Sequence, residues 1–296
     1  MTNIRLKEAT LLTNEKKLPV SKYISNNGLK SHYADWEGAG PTTLLVHGNM
    51  RTSRSFDAVS RNLSADHHVI AMDLIGHGNS TWAKQGYKLQ DRCEDIGNFV
   101  NKNNLNNIFA VGHSMGAVGL AMLVANDDSR FDKLVLLEPM MEIQSRFHRP
   151  ESERTPRHRR TWNDHTELYK LLKKHKLTRK WRPEVIKDVV EFETYLDKNG
   201  RVDMKWEPAT LSWSEREDEY MDLVATLRKI SIPILFVVGE TQKHEFERAF
   251  ELEKTMSNLE TLIVSGAGHN MYMERPKAVS EAIRIFGHTD PLPPSL

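Results

Sequence analysis

Six short apolar runs, spaced by segments with helical periodicity, constrain this 296-residue chain more than any other feature. They read "TTLLV", "HHVIAM", "NIFAVG", "KLVLLE", "IPILFVVG" and "LETLIV". Each has the length of a strand rather than a helix, and each is bounded by glycine, proline or polar residues. A strand apolar on both faces must be covered on both. Parallel neighbours also need a long crossover, normally a helix. The intervening sequence supplies these helices: "SFDAVSRNLS", "LQDRCEDIGNFVNKN" with Leu89, Cys93, Ile96 and Val100 on one side, and "MGAVGLAMLVAN". "PKAVSEAIRIFG" closes the series, and "LKSHYADW" before the turn "EGAGP" reads as a hairpin strand. The alternation predicts the α/β class, a mostly parallel sheet with helices on both faces.

The rhythm stops between about Met140 and Leu227. This stretch is charged, carries Trp162, Trp181, Trp206 and Trp213, and has helical segments in "HTELYKLLKKH" and "PEVIKDVVEFETYL". The sequence therefore divides into a core of residues 1–139 and 228–296 and a mostly helical cap of residues 140–227. Such an insertion covers the C-terminal edge of the strands, where open α/β sheets bind ligands.

Composition narrows the partners. The formal net charge of +1 gives no global field for nucleic acid or an anionic membrane. Cys93 is the single cysteine, so no intrachain disulfide forms, which fits a reducing compartment. No apolar run approaches a membrane span, and the first twenty residues lack the apolar core of a secretory signal. The expectation is a soluble cytoplasmic protein, monomer or homodimer, with a small-molecule partner. No His-Glu-x-x-His, paired C-x-x-C or strand-linked G-x-G-x-x-G occurs, so neither metal nor organic cofactor is expected.

Gly112-His113-Ser114-Met115-Gly116 lies between the run "NIFAVG" and the helix that follows. A serine forced into a tight strand-to-helix turn stands exposed above the sheet, and glycines two residues away keep Cβ atoms out of the bend. A serine needs a base to become a nucleophile. His269, in "GAGHNMYMERP" after the last strand, is the candidate. That base needs a carboxylate to fix its tautomer. Glu138 ends the strand after the nucleophile helix and is assigned this role, with Glu240 and Glu245 as the other carboxylates in reach of the sheet edge. The oxyanion needs two backbone N–H donors, assigned to Met115 and to Asn49 in the loop after "TLLVHG". The glycines of "DLIGHGNS" read as structural.

In this order, "LLVHGN", "DLIGHGNS", "VGHSMG" and "GAGHNMYMERP" resemble the α/β-hydrolase fold family, over about residues 21–287. The resemblance implies an eight-stranded, mostly parallel sheet with a cap after the sixth strand. It also implies a triad with Ser114 as nucleophile and His269 as base, and Asn49 and Met115 as oxyanion donors. The acid departs from the common pattern. Where many members carry aspartate near position 242, this chain has Gln242. Some members, including many haloalkane dehalogenases and fungal-toxin lactonases, instead place a glutamate after the sixth strand. Glu138, 24 positions after Ser114, suits that arrangement. Dehalogenases and epoxide hydrolases need an aspartate nucleophile, which Ser114 replaces.

The expected activity is cofactor-independent hydrolysis of small carboxylic esters or lactones through an acyl-enzyme on Ser114. The alternatives are hydrolysis of a carbon–carbon bond in ring-cleavage products, or a slow-turnover ligand receptor on the same fold. Met50, Met140, Met141 and Met271 adjoin the motifs and are expected to line an adaptable apolar pocket. The cap tryptophans either face flat substrates or anchor the cap helices. The arginine-rich residues 146–160 either attract a carboxylate or form a solvated face.

Overall fold

In the computed structural model, residues 17–26, 28–83, 87–143, 160–215, 220–288 and 295–296 are described. Eight strands form the main sheet: β1 (Val20–Asn26), β2 (Leu29–Asp35), β3 (Thr42–Val46), β4 (His68–Met72), β5 (Ile108–His113), β6 (Phe131–Leu137), β11 (Ile234–Gly239) and β12 (Leu259–Val264). Four short strands between β6 and β11 account for the gap in numbering: β7 (Glu142–Ile143), β8 (Thr194–Leu196), β9 (Val202–Met204) and β10 (Met221–Asp222). The spatial order is β1-β2-β4-β3-β5-β6-β11-β12. β2 runs antiparallel to both its neighbours, and every other pairing in the sheet is parallel.

The predicted central strands form because their apolar runs are buried throughout: every residue of β5 and β11 is shielded from solvent. β12, at the sheet edge, instead mixes buried and exposed positions. Successive residues point to opposite faces, so Leu134 and Leu136 join one core and Val135 and Leu137 the other. The helices divide accordingly. α2 (Leu89–Lys102), α3 (Met115–Asn126), α6 (Leu223–Leu227) and α7 (Glu247–Glu253) pack on the first core. α1 (Asp57–Leu63), α8 (Met271–Glu274) and α9 (Pro276–His288) pack on the second. Each fully buried Leu or Val contributes about 1.5–3 kcal/mol over leaving it in water. The four α2 positions expected to face inward, Leu89, Cys93, Ile96 and Val100, are all buried.

Two features of the sheet and its insertion differ from the sequence reading. β1 carries no apolar run, because it is an edge strand whose residues alternate between exposed and half-buried. Between β6 and β11, α4 (His165–Lys174) and α5 (Pro183–Phe192) form as predicted, but the second ends earlier than "PEVIKDVVEFETYL" suggested. Thr194–Leu196 leaves the helix to pair with Val202–Met204, consistent with the strand preference of Thr and Tyr. Trp162 and Trp181 are buried among the α4 and α5 side chains and anchor the insertion. Residues 146–159 of the arginine-rich run lie outside the described residues.

The insertion is fastened to the loop after β4 by backbone bonds. Gly78 N–H donates to the Lys205 carbonyl at 2.7 Å and Glu207 N–H to the Gly76 carbonyl at 2.7 Å. Arg61 bonds Asp188 of α5 at 2.7 Å. A second ionic joint is deeper. Arg51 Nη1 lies 3.1 Å from Glu193 Oε2, and Glu193 is wholly buried without a well-directed hydrogen bond to either oxygen among the described residues. Burial pushes the Glu193 carboxyl up to about 7, against the pull of Arg51. No helix among the described residues is long and apolar enough to cross a membrane.

Glu193 sets a sign for pH dependence. Its folded form holds a proton that the unfolded chain releases near its ordinary value. The stability it confers is therefore present at low pH and lost as pH rises from about 4.5 through about 7. Glu193→Gln cannot lose that proton. Urea unfolding of both proteins at pH 5 and pH 8 should show the variant gaining on wild type by up to roughly 3 kcal/mol at the higher pH. An unchanged difference between the two pH values would reject the joint as described.

Candidate active site

The end of β5 turns sharply into α3 at Ser114, whose backbone is left-handed at φ 51° and ψ −119°. The flanking glycines explain how the turn fits. A Cβ on Gly112 would lie 2.5 Å from Ala117 Cα, and one on Gly116 would lie 2.3 Å from the His47 carbonyl oxygen. No side chain larger than hydrogen fits either position. The Gly116 contact also shows that the loop after β3 presses directly on the start of α3. Met115 is the first residue of that helix, where N–H groups lack intrahelical acceptors.

Beside Ser114, the end of β6 is gripped from both sides. Ser114 N–H donates to the Leu137 carbonyl at 3.0 Å, and Glu138 N–H donates to the Val237 carbonyl of β11 at 3.1 Å. Glu138 itself is left-handed at φ 42°, a strained conformation for a glutamate. That twist aims its side chain along the strand ends. Oε1 accepts from Gly239 N–H at 2.7 Å, and Oε2 accepts from His269 Nδ1–H at 2.7 Å. The carboxylate is fully buried while the imidazole is half exposed. With Nδ1–H committed to the acid, Nε2 is left as the acceptor, the tautomer a general base requires.

Of the three carboxylates the sequence offered, only Glu138 reaches the ring. Glu240 is engaged elsewhere, accepting from Gly266 N–H at 2.7 Å. Glu245 and Gln242 stand on the wall of a neighbouring cavity. Among the described residues Ser114 Oγ makes no hydrogen bond, and it is partly exposed at the turn. The residue before Ser114 in sequence holds the His269 backbone, because His113 Nε2–H donates to the His269 carbonyl at 2.9 Å.

Three buried histidines build the scaffold, and the sequence placed them only as motif neighbours. His47 donates from Nδ1 to the Gly48 carbonyl at 2.7 Å and accepts Leu74 N–H on Nε2 at 3.0 Å. It thereby ties the β3 loop, which carries Asn49, to the end of β4. Burial pushes its imidazole down to about 4, so it serves as a neutral strut. His77 and His113 are driven below the ordinary histidine range for the same reason. Tyr272, stacked on Phe56, packs against His113 with ring centres 4.7 Å apart. "HG" pairs and a His before the serine were the available signals, but their hydrogen bonds lie across the fold.

A cavity of about 430 Å³ opens on the acid side of the imidazole, lined by Glu138, Pro139, Met140, Met141, Glu142, Gln242, Glu245, Phe246 and His269. Met140 and Met141, two of the four methionines named from the sequence, line this cavity. Met50 is 42% exposed on the β3 loop. Met271 is different: it is completely buried in the second core, because α8 turns that side of the chain inward.

The sequence matches the description "Alpha/beta hydrolase family" over residues 43–282. The chain belongs to that family. This α/β hydrolase is similar to 2-(acetamidomethylene)succinate hydrolase of Mesorhizobium japonicum, 26% identical over 257 residues, 84% of this chain and 89% of the relative. Its fold is similar to the crystal structure of E-2-(acetamidomethylene)succinate hydrolase, with a TM-score of 0.78 and 21% identity, covering 91% and 99% of the two chains. It is also similar to that of N-formylmaleamic acid deformylase from Pseudomonas putida, with a TM-score of 0.65 and 19% identity, covering 89% and 100%.

The acid assignment is open to direct measurement in this α/β hydrolase. Glu138→Gln should lower kcat by about 10³–10⁴, because the imidazole loses the anion that orients it and compensates its charge. Glu240→Gln and Glu245→Gln should stay within about threefold of wild type. Steady-state rates of the three variants decide, and a collapse in either of the latter two would relocate the acid.

Proposed function

We propose that this chain is a serine hydrolase of small, open-chain, carboxylate-bearing compounds of the kind that ring cleavage leaves. The bond cut is a carbon–carbon or acyl carbon–nitrogen bond rather than a simple ester or lactone. The hydrolase reading is carried by one observation, the 2.7 Å contact of His269 with buried Glu138 beside a strained serine turn. In the proposed sequence, His269 Nε2 takes the Ser114 proton as Oγ attacks a carbonyl carbon. The N–H groups of Asn49 and Met115 hold the oxyanion, each worth about 3 kcal/mol. His269 then protonates the departing carbon or nitrogen, and a water activated by the same ring releases the acyl group from Ser114.

The substrate class draws support from the relatives. The hydrolase similar over 84% of this chain is named for an acetamidomethylene derivative of succinate, and a structural neighbour for N-formylmaleamic acid. Both names denote small acids. They favour the ring-cleavage alternative over the ester or lactone activity first expected. A cation in the right loop adds physical support. Arg51 follows Asn49 by two residues, and its guanidinium lies over the Trp181 ring at 5.1 Å, at the junction of core and cap. Glu193 is its present partner, and an ionised substrate carboxylate offers a full charge, where buried Glu193 is raised to about 7, in a geometry that can be bidentate.

The test is a rate comparison on a panel. Wild type should turn over 2-(acetamidomethylene)succinate, N-formylmaleamate or a vinylogous diketone acid at least tenfold faster, in kcat/KM, than p-nitrophenyl acetate. Ser114→Ala should abolish both activities. Arg51→Gln should raise KM for the acidic substrate about tenfold or more and leave the neutral ester nearly unchanged. Turnover confined to neutral esters would overturn the substrate class, and equal rates in Ser114→Ala would overturn the site.

A further inference from the structure

A second hydroxyl–imidazole–carboxylate relay lies on the far side of the sheet order from His269, in β1, β2 and the end of β4. Ser21 Oγ is 2.7 Å from His32 Nε2, and His32 Nδ1 is 2.6 Å from Asp73 Oδ2. Asp73 is buried and its carboxylate is well anchored, accepting Ser53 N–H at 2.6 Å and Asn79 N–H at 2.9 Å. Burial opposes its charge, but His32 and these donors bring the carboxyl down to about 2, so it stays ionised. An ionised acceptor claims the Nδ1 proton and leaves Nε2 to accept from the serine hydroxyl. His32 is buried, whereas Ser21 is an exposed residue on the outermost strand, so the relay runs from the interior to the sheet edge.

We propose that Ser21 is a second acyl-accepting serine, reactive toward small activated aryl esters and organophosphorus electrophiles. With p-nitrophenyl acetate, Ser21 Oγ bonds to the carbonyl carbon while its proton passes to His32 Nε2. The carbon–oxygen bond to the aryl group then breaks, and the leaving aryloxide takes the proton from His32 as p-nitrophenol. With a fluorophosphonate, the new bond is to phosphorus, and fluoride departs with the proton. Ser21 lies within a strand and lacks the left-handed turn that Ser114 has. Water therefore solvates its oxyanion in place of paired N–H donors, and the step should run about 10²–10³-fold slower than one with such donors. A slow step without a cap makes Ser21 a site that labels and holds its group.

The experiment uses the full chain carrying Ser114→Ala, so the candidate catalytic serine takes no label. It is incubated with a fluorophosphonate and read by intact mass and peptide fragmentation. The expected result is one adduct on Ser21, formed at least tenfold faster than any on Ser25. Ser25 is exposed on the same strand and has no imidazole partner among the described residues. Adding Ser21→Ala should remove that adduct, and adding His32→Gln should slow it at least tenfold. Labelling of Ser21 no faster than Ser25, or a rate unchanged by His32→Gln in a chain whose circular dichroism matches its parent, would overturn the proposal. Either result leaves the reading of Ser114 untouched, because that reading is scored on turnover by the Ser114-containing protein.

Discussion

A fully buried carboxylate at the end of β6 makes demands that the surrounding fold must meet. An unpaired carboxyl buried there would be strongly disfavoured. Glu138 instead receives one backbone N–H from Gly239 and one ring N–H from His269. Both partners come from the far side of the insertion, more than a hundred residues along the chain. The strand order that places β11 beside β6 is thus a precondition for the dyad, as is the left-handed turn that aims Glu138 across the strand ends. The half-exposed imidazole faces solvent, and the carboxylate does not. This arrangement keeps the hydrogen bond between them strong, since a low-dielectric surrounding strengthens it.

The rest of the site depends on neutral polar struts. His47 and His113 each hold a backbone carbonyl, one in the β3 loop and one at His269 itself. Both imidazoles are buried and held below the ordinary range, so they position the neighbouring groups without adding positive charge. That separation of duties matters for chemistry. A charged imidazolium at His113, with its ring 4.7 Å from that of His269, would oppose any positive charge on the second ring. The insertion is joined by a different logic, through backbone bonds to the β4 loop and the imperfectly directed Arg51–Glu193 pair. A buried pair of that kind contributes little net stability, yet it fixes a guanidinium in the loop after β3.

The helix and strand pattern was legible in the sequence where burial was complete. β5, β11 and the α2 stripe were readable because a strand covered on both faces and a helix covered on one impose opposite periodicities. Edge strand β1 was not, since most of its residues face water and the polar Ser21, Lys22 and Ser25 interrupt any apolar run. The boundary of α5 was missed because Thr194 and Tyr195 are judged by their partners on β9, which lie elsewhere in the chain. Met271 was expected in a pocket from its neighbourhood in sequence, and its complete burial among the side chains of the second core follows from the turn at α8, which no local pattern shows.

The sequence by itself determined that a serine sits at a strand-to-helix bend, that a histidine follows the last strand, and that the chain is an alternating α/β fold. These follow from local chemistry: steric limits at Gly112 and Gly116 and the burial of short apolar runs. Only the tertiary structure decided which of three carboxylates reaches His269, which methionines meet a cavity, and that Ser21 finds an imidazole. Those choices depend on strand order and side-chain direction. The groups concerned lie on different elements, from 11 residues apart for Ser21 and His32 to 131 for Glu138 and His269, and no local propensity encodes the ångström-scale approach that a hydrogen bond requires.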